Sequence, residues 1–291
     1  MIYVKLLLTA IFWGGTFIAA RVVAQTVGPF SASFLRFAIA SLFLVFITIR
    51  MEGKIPWLKK HQILPVILLG LTGVFAYNFF FFSGLKTITA SRASIIIAMN
   101  PIFISIFAYT FFKEKLTGIN VVGILLCVSG AIIVISRGNP LGIIQGGLGA
   151  GELHILGCVA SWVLYSLIGK SAMKDMSPLV TVTYSCLAGG ILLLFPAWIE
   201  GMPRDITGYS VADWAGIFYL GFFGSVLGFT WYYQGIKKIG ASKASVFINF
   251  VPVSAVILAC LLLKEKLDLS LITGAIMVIC GAYLANKKHR T

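Results

Sequence analysis

The sequence predicts an all-α integral membrane protein in which ten transmembrane helices form two inverted repeats of five. Three observations favour this fold class. Of the 291 residues, 59% are hydrophobic and only 11% are charged, whereas a soluble domain has about a quarter charged residues. The apolar residues form segments of the length that crosses a bilayer, roughly 17–25 residues. The second half of the chain also repeats the first.

The apolar segments predict where the ten helices lie. Hydrocarbon offers backbone groups no hydrogen-bond partner, so the spans are expected to be helices rather than open strands. A secretory signal is the alternative for the first segment, but we interpret it as a retained span because Trp13 recurs as Trp162 in the second half. The predicted spans are 4–24, 31–50, 63–83, 92–112, 118–136, 150–170, 178–198, 213–233, 244–263 and 270–286.

The positive charge of the chain predicts its orientation. The formal net charge is +14, and Lys and Arg concentrate in the cytoplasmic loops of membrane proteins. Six such residues lie on one predicted side: Lys86, Arg92, Arg137, Arg204, Lys264 and Lys266. Fifteen lie on the side of both termini: Lys5, Arg50, Lys54, Lys59, Lys60, Lys113, Lys115, Lys170, Lys174, Lys237, Lys238, Lys243, Lys287, Lys288 and Arg290. We therefore expect a multi-pass protein of the cell (inner) membrane with both termini in the cytoplasm.

The composition also indicates which partners to expect. A nucleic-acid-binding module would carry a contiguous basic face, and the sequence has none, so we expect no nucleic-acid partner. The five cysteines are spread over apolar segments without a Cys-x-x-Cys motif, which argues against a disulfide framework or a zinc site. We expect the lipid bilayer and a small-molecule substrate as partners, with no metal and no cofactor. The oligomeric state stays open, since glycines on spans 5 and 10 permit close helix contact inside or between monomers.

An internal repeat divides the chain into the predicted domains 4–136 and 150–286. At a shift of 151 positions, residues 84–130 align without a gap with residues 235–281. At a shift of 149, Trp13 meets Trp162. Because five is an odd number, the second repeat must enter the bilayer from the opposite side, an arrangement that recurs in secondary transporters.

Short motifs occur in the same order along both halves. The first half has Phe12-Trp13-Gly14, Leu35-Arg36-Phe37, Gly84-Leu85-Lys86, Ala90-Ser91-Arg92-Ala93, Pro101 and Lys113-Glu114-Lys115-Leu116. The second half has Gly235-Ile236-Lys237, Ala241-Ser242-Lys243-Ala244, Pro252 and Lys264-Glu265-Lys266-Leu267. In this order and duplication the chain resembles the EamA domains of the drug/metabolite transporter superfamily over nearly its whole length. It departs from the duplication at Ser185, which stands about where Arg36 would recur, so any arginine role is confined to one half.

The resemblance implies a fold and an activity. It implies a ten-helix inner-membrane protein with a central cavity lined by spans 1, 3, 4, 6, 8 and 9. It also implies export of amino acids, metabolites or drugs.

Two prolines within equivalent spans predict the binding site. Pro101 and Pro252 lack the N–H that would bond the carbonyl four residues earlier, which frees the carbonyls of Ile97 and Ile248. At membrane depth a freed carbonyl must face protein, water or substrate, and breaks in equivalent spans point to the substrate site of a transporter. The alternative is a kink that only aids packing.

Polar and aromatic side chains complete the predicted substrate site. The amides and hydroxyl of Asn78, Ser94, Asn100 and Asn249 either contact substrate or hold helices together. Aromatic rings suit a cavity for apolar or aromatic-bearing solutes, and core packing or lipid contact is their alternative role. The predicted aromatic residues are Trp13, Tyr77, Phe81, Trp162, Tyr165, Trp231 and Tyr232.

Three charged residues are predicted to act in gating or charge recognition. Arg36, inside span 2, either attracts a carboxylate or phosphate or forms part of a gate. The alternatives are that it snorkels to the outer surface or caps backbone carbonyls. Glu114 and Glu265 close spans 4 and 9, where they either pair with neighbouring lysines or form a gating contact. The sequence places no Asp or Glu deep in a span, which disfavours proton coupling through a buried carboxylate.

These observations predict a transporter. Its expected activity is export of small organic metabolites such as amino acids, by alternating access around a central cavity. A broad drug or small-solute exporter and a channel-like facilitator stay open as alternatives. An enzyme is not expected, because the sequence offers no nucleophile–base pair or carboxylate pair at membrane depth.

Overall fold

The computed structural model describes residues 2–100, 103, 118–139, 149–239, 247 and 250–285, and none of these residues forms a β-strand. The chain is thus all-α over the described residues, as predicted. Helices α1 to α7 are Ile2–Val23, Pro29–Glu52, Lys60–Leu85, Ala90–Ile97, Gly118–Ile135, Ala150–Ala172 and Pro178–Glu200. After the short turns Met202–Asp205 and Ile206–Gly208, α8 comprises Val211–Phe218, Tyr219–Leu227 and Gly228–Ile239. Helices α9 and α10 are Phe250–Leu263 and Leu269–Ala285.

Seven helices in the described part of the chain are long and apolar enough to cross a membrane. They are α1, α2, α3, α5, α6, α7 and the Val211–Tyr232 part of α8. Helices α9 and α10 are apolar but shorter. Each predicted span contains helical structure, although the spans 92–112, 244–263 and 270–286 extend beyond the described residues. The count of ten crossings stays a prediction.

Helices α2 and α7, which are equivalent in the repeat, begin and end in the same way. Each starts with a proline, Pro29 or Pro178, at a position where the missing N–H costs no hydrogen bond. Each ends at a glycine in the left-handed region, with φ of 77° at Gly53 and 102° at Gly201. A side chain is disfavoured at such a φ, so glycine stops the helix there.

Equivalent stretches of α3 and α8 are π-helical. They are Gly70–Ala76 in α3 and Tyr219–Leu227 in α8. A π-helical stretch widens the turn, leaves backbone carbonyls for side chains to use, and is often found at functional sites. Both stretches lie next to the cavity described below.

Equivalent helices of the two halves pack against each other in antiparallel pairs. The C-terminal end of α2 meets the N-terminus of α7, where Ser177 Oγ donates to Glu52 Oε1 at 2.8 Å. The glycines of α5 and α10 also contact each other within one chain. A Cβ added at Gly130 would lie 2.8 Å from the carbonyl oxygen of Gly274. A Cβ added at Gly281 would lie 2.7 Å from the carbonyl oxygen of Gly123. These glycines therefore serve close packing inside the monomer, which answers one of the two possibilities that the sequence left open.

Two carboxylates mark one end of the bundle, which we call the glutamate face. Glu200, the last residue of α7, accepts hydrogen bonds from Ser31 N at 2.7 Å and from Ser31 Oγ at 2.6 Å at the start of α2. Glu265, which follows α9, binds the start of α4 in the same manner. The opposite face carries the contact of Glu52 with Ser177. The helices between the two faces enclose the cavity.

Candidate functional site

A small cavity lies between α2, α3, α6, α7 and α8. Its volume is about 30 Å³, which is room for about two water molecules and less than a whole metabolite needs. Helix α2 contributes Arg36 and Phe37, and α8 contributes Phe229. The other lining residues are Gly73, Val74, Tyr77 and Asn78 from α3, Trp162 and Tyr165 from α6, and Val182, Ser185 and Cys186 from α7.

Equivalent residues of the two halves line this cavity together. At the repeat shift of 149, Arg36 corresponds to Ser185 and Phe37 corresponds to Cys186, and all four line the cavity. The cavity therefore lies at the seam between the halves. Because the second half has serine where the first has arginine, this pair of positions supplies a single guanidinium.

Arg36 is the charged group of the cavity. It lies seven residues into α2, about 10 Å from the start of the helix at 1.5 Å per residue, and its side chain is only 7% exposed. Its Nε donates to Ser225 Oγ at 3.2 Å and its Nη1 donates to Asn78 Oδ1 at 2.9 Å. The guanidinium thus turns into the bundle and does not snorkel to the surface. No Asp or Glu is among the described residues that line the cavity.

The π-helical stretches position the two partners of Arg36. Asn78 Nδ2 donates to the carbonyl of Val74 at 2.8 Å, within the stretch in α3. Ser225 Oγ donates to the carbonyl of Leu220 at 3.1 Å, within the stretch in α8. Each side chain is held by its own helix and presents its oxygen to the guanidinium. The arginine is therefore fixed by neutral groups from two helices.

A series of aromatic rings forms one wall of the cavity. The ring centroid of Trp162 lies 5.4 Å from that of Tyr77, 5.3 Å from that of Tyr165 and 6.1 Å from that of Phe229. Trp13, the repeat equivalent of Trp162, contacts the same Phe229 at 5.6 Å. These separations are typical of aromatic pairs that pack edge to face or offset. The wall is apolar on the ring faces and can accept an apolar or aromatic group.

A family comparison can be added to this geometry. The model of the EamA-like transporter family matches the chain twice, over residues 1–136 and 149–287. The chain belongs to the EamA-like transporter family. It is therefore a multi-pass membrane transporter of the drug/metabolite transporter type and not an enzyme, as the sequence predicted.

Curated relatives agree with this assignment. The "Uncharacterized transporter YyaM" of Bacillus subtilis (strain 168) is 34% identical over 286 residues, covering 98% of this chain and 93% of the relative. An "Uncharacterized transporter" of Archaeoglobus fulgidus is 30% identical over 289 residues, with 99% of each chain covered. The "Probable terminal-alkyne amino-acid exporter" of Streptantibioticus cattleyicolor is 26% identical over 295 residues, covering 97% of this chain and 92% of the relative.

A solved structure shares the fold. It is titled "Crystal structure of protein", has a TM-score of 0.65, and covers 96% of each chain at 20% sequence identity. At this identity the likeness shows the fold alone.

Four of the predicted substrate-site residues line the cavity of this EamA-like transporter. They are Tyr77, Asn78, Trp162 and Tyr165. The structure brings them together with Arg36, which the sequence identified as a gating or charge residue.

Five other predicted residues lie outside the described lining. Trp13 Nε1 donates to the carbonyl of Gly224 at 2.9 Å, in the π-helical stretch of α8. Phe81 is 2% exposed and packs behind Tyr77, with ring centroids 5.7 Å apart. Tyr232 packs on Trp13 at 5.4 Å, Trp231 packs on Phe12 at 5.7 Å, and Ser94 Oγ donates to the carbonyl of Ser91 at 2.8 Å.

The proline pair and its neighbours are only partly described. Pro252 is buried as the third residue of α9. Asn100 is 7% exposed, and its Oδ1 has no hydrogen-bond partner among the described residues. Pro101, Asn249 and Glu114 lie outside the described residues.

Glu265 contacts a distant helix rather than its neighbours. Its carboxylate accepts hydrogen bonds from Ala90 N at 2.8 Å, Ser91 N at 3.1 Å and Ser91 Oγ at 2.6 Å. These amides belong to the first turn of α4, where backbone N–H groups have no partner within the helix. The ion pairs with Lys264 and Lys266 that the sequence favoured are not among the described contacts.

Sequence reasoning missed seven of the lining residues: Phe37, Gly73, Val74, Val182, Ser185, Cys186 and Phe229. The repeat contained a signal for two of them. The sequence already matched Ser185 to Arg36 without assigning it to the site, and Cys186 follows from Phe37 by the same shift of 149.

Metal ligation has no support in the described part of the chain. No group of three or more His, Cys, Asp or Glu side chains there could hold a metal ion.

Proposed function

We propose that this EamA-like transporter exports small organic metabolites such as amino acids across the cell membrane by alternating access around the central cavity. The observation that carries the proposal is the cavity itself, lined by the equivalent residues Arg36 and Ser185 at the seam between the halves. In transporters built from inverted repeats, substrates bind at the interface of the repeats near the bilayer midplane. The aromatic wall suits the side chain of an apolar or aromatic amino acid, and a relative carries the name of an amino-acid exporter.

The proposed halves are residues 4–136 and 150–286, with the second inverted relative to the first. Two kinds of contact support the inversion. Equivalent helices α2 and α7, α4 and α9, and α5 and α10 form antiparallel pairs. In the repeat, α1 is equivalent to α6 and α8 is equivalent to α3. The contact of α1 with α8 therefore has an equivalent in the contact of α6 with α3, and both contacts occur. A pseudo-two-fold axis in the membrane plane explains both observations.

The proposed orientation puts the glutamate face outside the cell and both termini in the cytoplasm. The excess of Lys and Arg on the opposite face supports it. Epitope tags placed before α1 and within residues 140–148 should be accessible from opposite sides of the membrane. Tags that report the same side would contradict the inverted arrangement.

The proposed substrate site extends from the cavity toward the rest of the seam. It comprises Trp13, Tyr77, Asn78, Phe81, Ser94, Asn100, Pro101, Trp162, Tyr165, Trp231, Tyr232, Asn249 and Pro252. The present cavity of about 30 Å³ is too small for an amino acid, so entry of substrate requires the helices to move apart. Glu265 and, in the first half, Glu114 are the proposed gating residues, because the contact of Glu265 with α4 must break for the glutamate face to open.

Counterflow in proteoliposomes tests the proposed function. The purified chain is reconstituted with an internal unlabelled amino acid, and uptake of the labelled amino acid is followed across a panel. We expect saturable counterflow for at least one amino acid, reduced at least tenfold by Trp162→Ala, since Trp162 lines the cavity and a loss of about 1.4 kcal/mol of solute binding is a factor of ten. The matched control is Trp198→Ala, because Trp198 is 64% exposed at the end of α7.

The outcomes separate the alternatives. Flux that rises linearly with concentration and shows no counterflow would favour a channel-like facilitator. Counterflow of many unrelated amphipathic solutes would favour a broad exporter. Absence of flux for every solute would contradict the transport proposal.

A further inference from the structure

The cavity contains a buried positive charge without a counter-ion in the described part of the chain. The described partners of Arg36 are neutral. They are the oxygens of Asn78 and Ser225 and the ring of Phe37, whose centroid lies 5.2 Å from the guanidinium carbon. None of the described lining residues is acidic. A charged side chain inside a membrane protein is costly, and such residues normally have a partner. A bound solute with a negative charge could therefore supply the counter-charge that the described lining lacks.

The geometry of the guanidinium leaves room for that occupant. Arginine has five N–H groups in a planar fork. The Nε group and one Nη1 group have the partners named above, and the remaining three N–H groups have no partner among the described residues. They are both hydrogens of Nη2 and one of Nη1. One hydrogen of each atom can lie side by side on the edge between Nη1 and Nη2. This edge can bind two oxygens of one carboxylate in parallel.

The charges of the cavity lining favour a carboxylate over a phosphate. A carboxylate carries one negative charge, which the single guanidinium of Arg36 can neutralise. A phosphate carries more charge and more oxygens, and the repeat equivalent of Arg36 is Ser185, so the cavity lacks a second cation at that position. The described lining also has no carboxylate that could neutralise an ammonium group.

We propose that Arg36 binds the carboxylate of the transported solute, and that the site selects monocarboxylates with an apolar or aromatic body whether or not they carry an amino group. This inference rests on the proposed function and specifies its substrate class. The body of the solute packs against Trp162 and its aromatic neighbours when the helices open. The carboxylate displaces water from the fork edge of Arg36, while Asn78 and Ser225 keep the guanidinium in place.

Matched carboxylate and amide probes test this proposal. The full-length chain in detergent is titrated with benzoate or benzamide, and with phenylalanine or phenylalaninamide, and apparent affinities are obtained from the rise in melting temperature. In the wild-type chain we expect each carboxylate to bind at least tenfold more tightly than its amide, which corresponds to about 1.4 kcal/mol. Benzoate, which has no amino group, should retain this preference.

Substitutions assign the preference to one residue. Arg36→Gln should abolish the preference for the carboxylate, and Arg36→Lys should retain part of it because a charge remains without the planar fork. The matched control is Arg50→Gln on the same helix, where the exposed guanidinium lies 5.4 Å over the ring of Phe46. That variant should keep the full preference. If Arg36→Gln fails to fold, the wild-type probe pairs and Arg36→Lys still decide the outcome.

Several results would overturn the proposal. They are equal affinity of the wild-type chain for carboxylate and amide, absence of binding by both, and survival of the preference in Arg36→Gln. Competition by sodium chloride at the same concentration as benzoate would show a general anion site, which also overturns it. Counterflow distinguishes this failure from failure of the proposed function. If carboxylates and their amides are transported equally well, the substrate class is wrong but the proposed transport function stands. If no solute is transported, the proposed function itself is wrong.

Discussion

The contact of Glu265 with the start of α4 predicts how firmly the glutamate face is closed. Replacement of Glu265 by Gln keeps the size of the side chain but removes its charge and one of its two acceptor oxygens. In the wild-type chain the Glu265 carboxylate accepts three hydrogen bonds, at 2.8, 3.1 and 2.6 Å. Hydrogen bonds to charged groups contribute about 1.5–3 kcal/mol and neutral ones about 0.5–1.5 kcal/mol. A carboxylate at a helix N-terminus adds about 0.3–1 kcal/mol.

The expected effect follows from these values. Glu265 is partly exposed, so solvent screening reduces the sum, and we expect Glu265→Gln to weaken the contact by about 2 kcal/mol. Since each 1.4 kcal/mol is a factor of ten, local opening at this contact should become about 30 times more frequent.

Hydrogen exchange measures this opening directly. The amides of Ala90 and Ser91 are the donors, so a peptide covering residues 86–97 should lose protection about 30-fold in Glu265→Gln. Asp205→Asn is the matched control, because Asp205 is a carboxylate near the same face whose described ion pair, at 3.1 Å, is with the adjacent Arg204. Unchanged exchange in residues 86–97, or an equal loss of protection in every helix, would refute the gating role.

Two further predictions concern stability. Gly130→Ala should lower the melting temperature in detergent, because its Cβ would lie 2.7 Å from the side chain of Met277 and overpacking costs about 1–3 kcal/mol. Gly190→Ala is the control and should leave the melting temperature unchanged, because nothing lies within 4 Å of a Cβ there. Equal melting temperatures of the two variants would contradict the packing of α5 against α10. The hydrogen bond from Ser270 lowers the pKa of Asp268 from its ordinary value of 3.8. The ionised Asp268 carboxylate therefore stabilises the folded chain above pH 3.8, and this stabilisation is lost as the pH falls through the lower folded-state pKa. Asp268→Asn should remove that part of the acid dependence of unfolding, and an unaltered acid profile would argue against it.

Much of the fold could be predicted because apolar length and repetition are local properties of the sequence. The starts of α2 and α7 follow from Pro29 and Pro178, and the stops follow from Gly53 and Gly201, whose backbone angles favour glycine. The number of membrane crossings does not follow from the described residues, since three predicted spans extend beyond them.

The cavity was harder to predict, because the helices of a membrane protein are apolar on every face. A soluble helix shows its core-facing side by a polar opposite side, but α3 offers no such contrast around Tyr77. The π-helical stretch in α3 also rotates the following residues relative to a regular helix, so the position of Asn78 beside Arg36 does not follow from the 3.6-residue period.

Long-range contacts were the other limit. Glu265 has lysines on both sides in the sequence, which favoured a local ion pair. Its described partners are Ala90 and Ser91, about 175 positions earlier in the chain. Only the antiparallel packing of α4 and α9 brings these groups together, and that packing is a property of the assembled bundle.

Two-sided labelling of Cys186 tests the central claim most directly. This native cysteine lines the cavity. The other four cysteines, Cys127, Cys158, Cys260 and Cys280, are replaced by alanine so that Cys186 is the reporter. An impermeant maleimide applied from either side of the membrane should modify Cys186, and a transported solute should protect it from both sides. Modification from one side only, or no protection by any transported solute, would contradict a single cavity that opens alternately to the two faces.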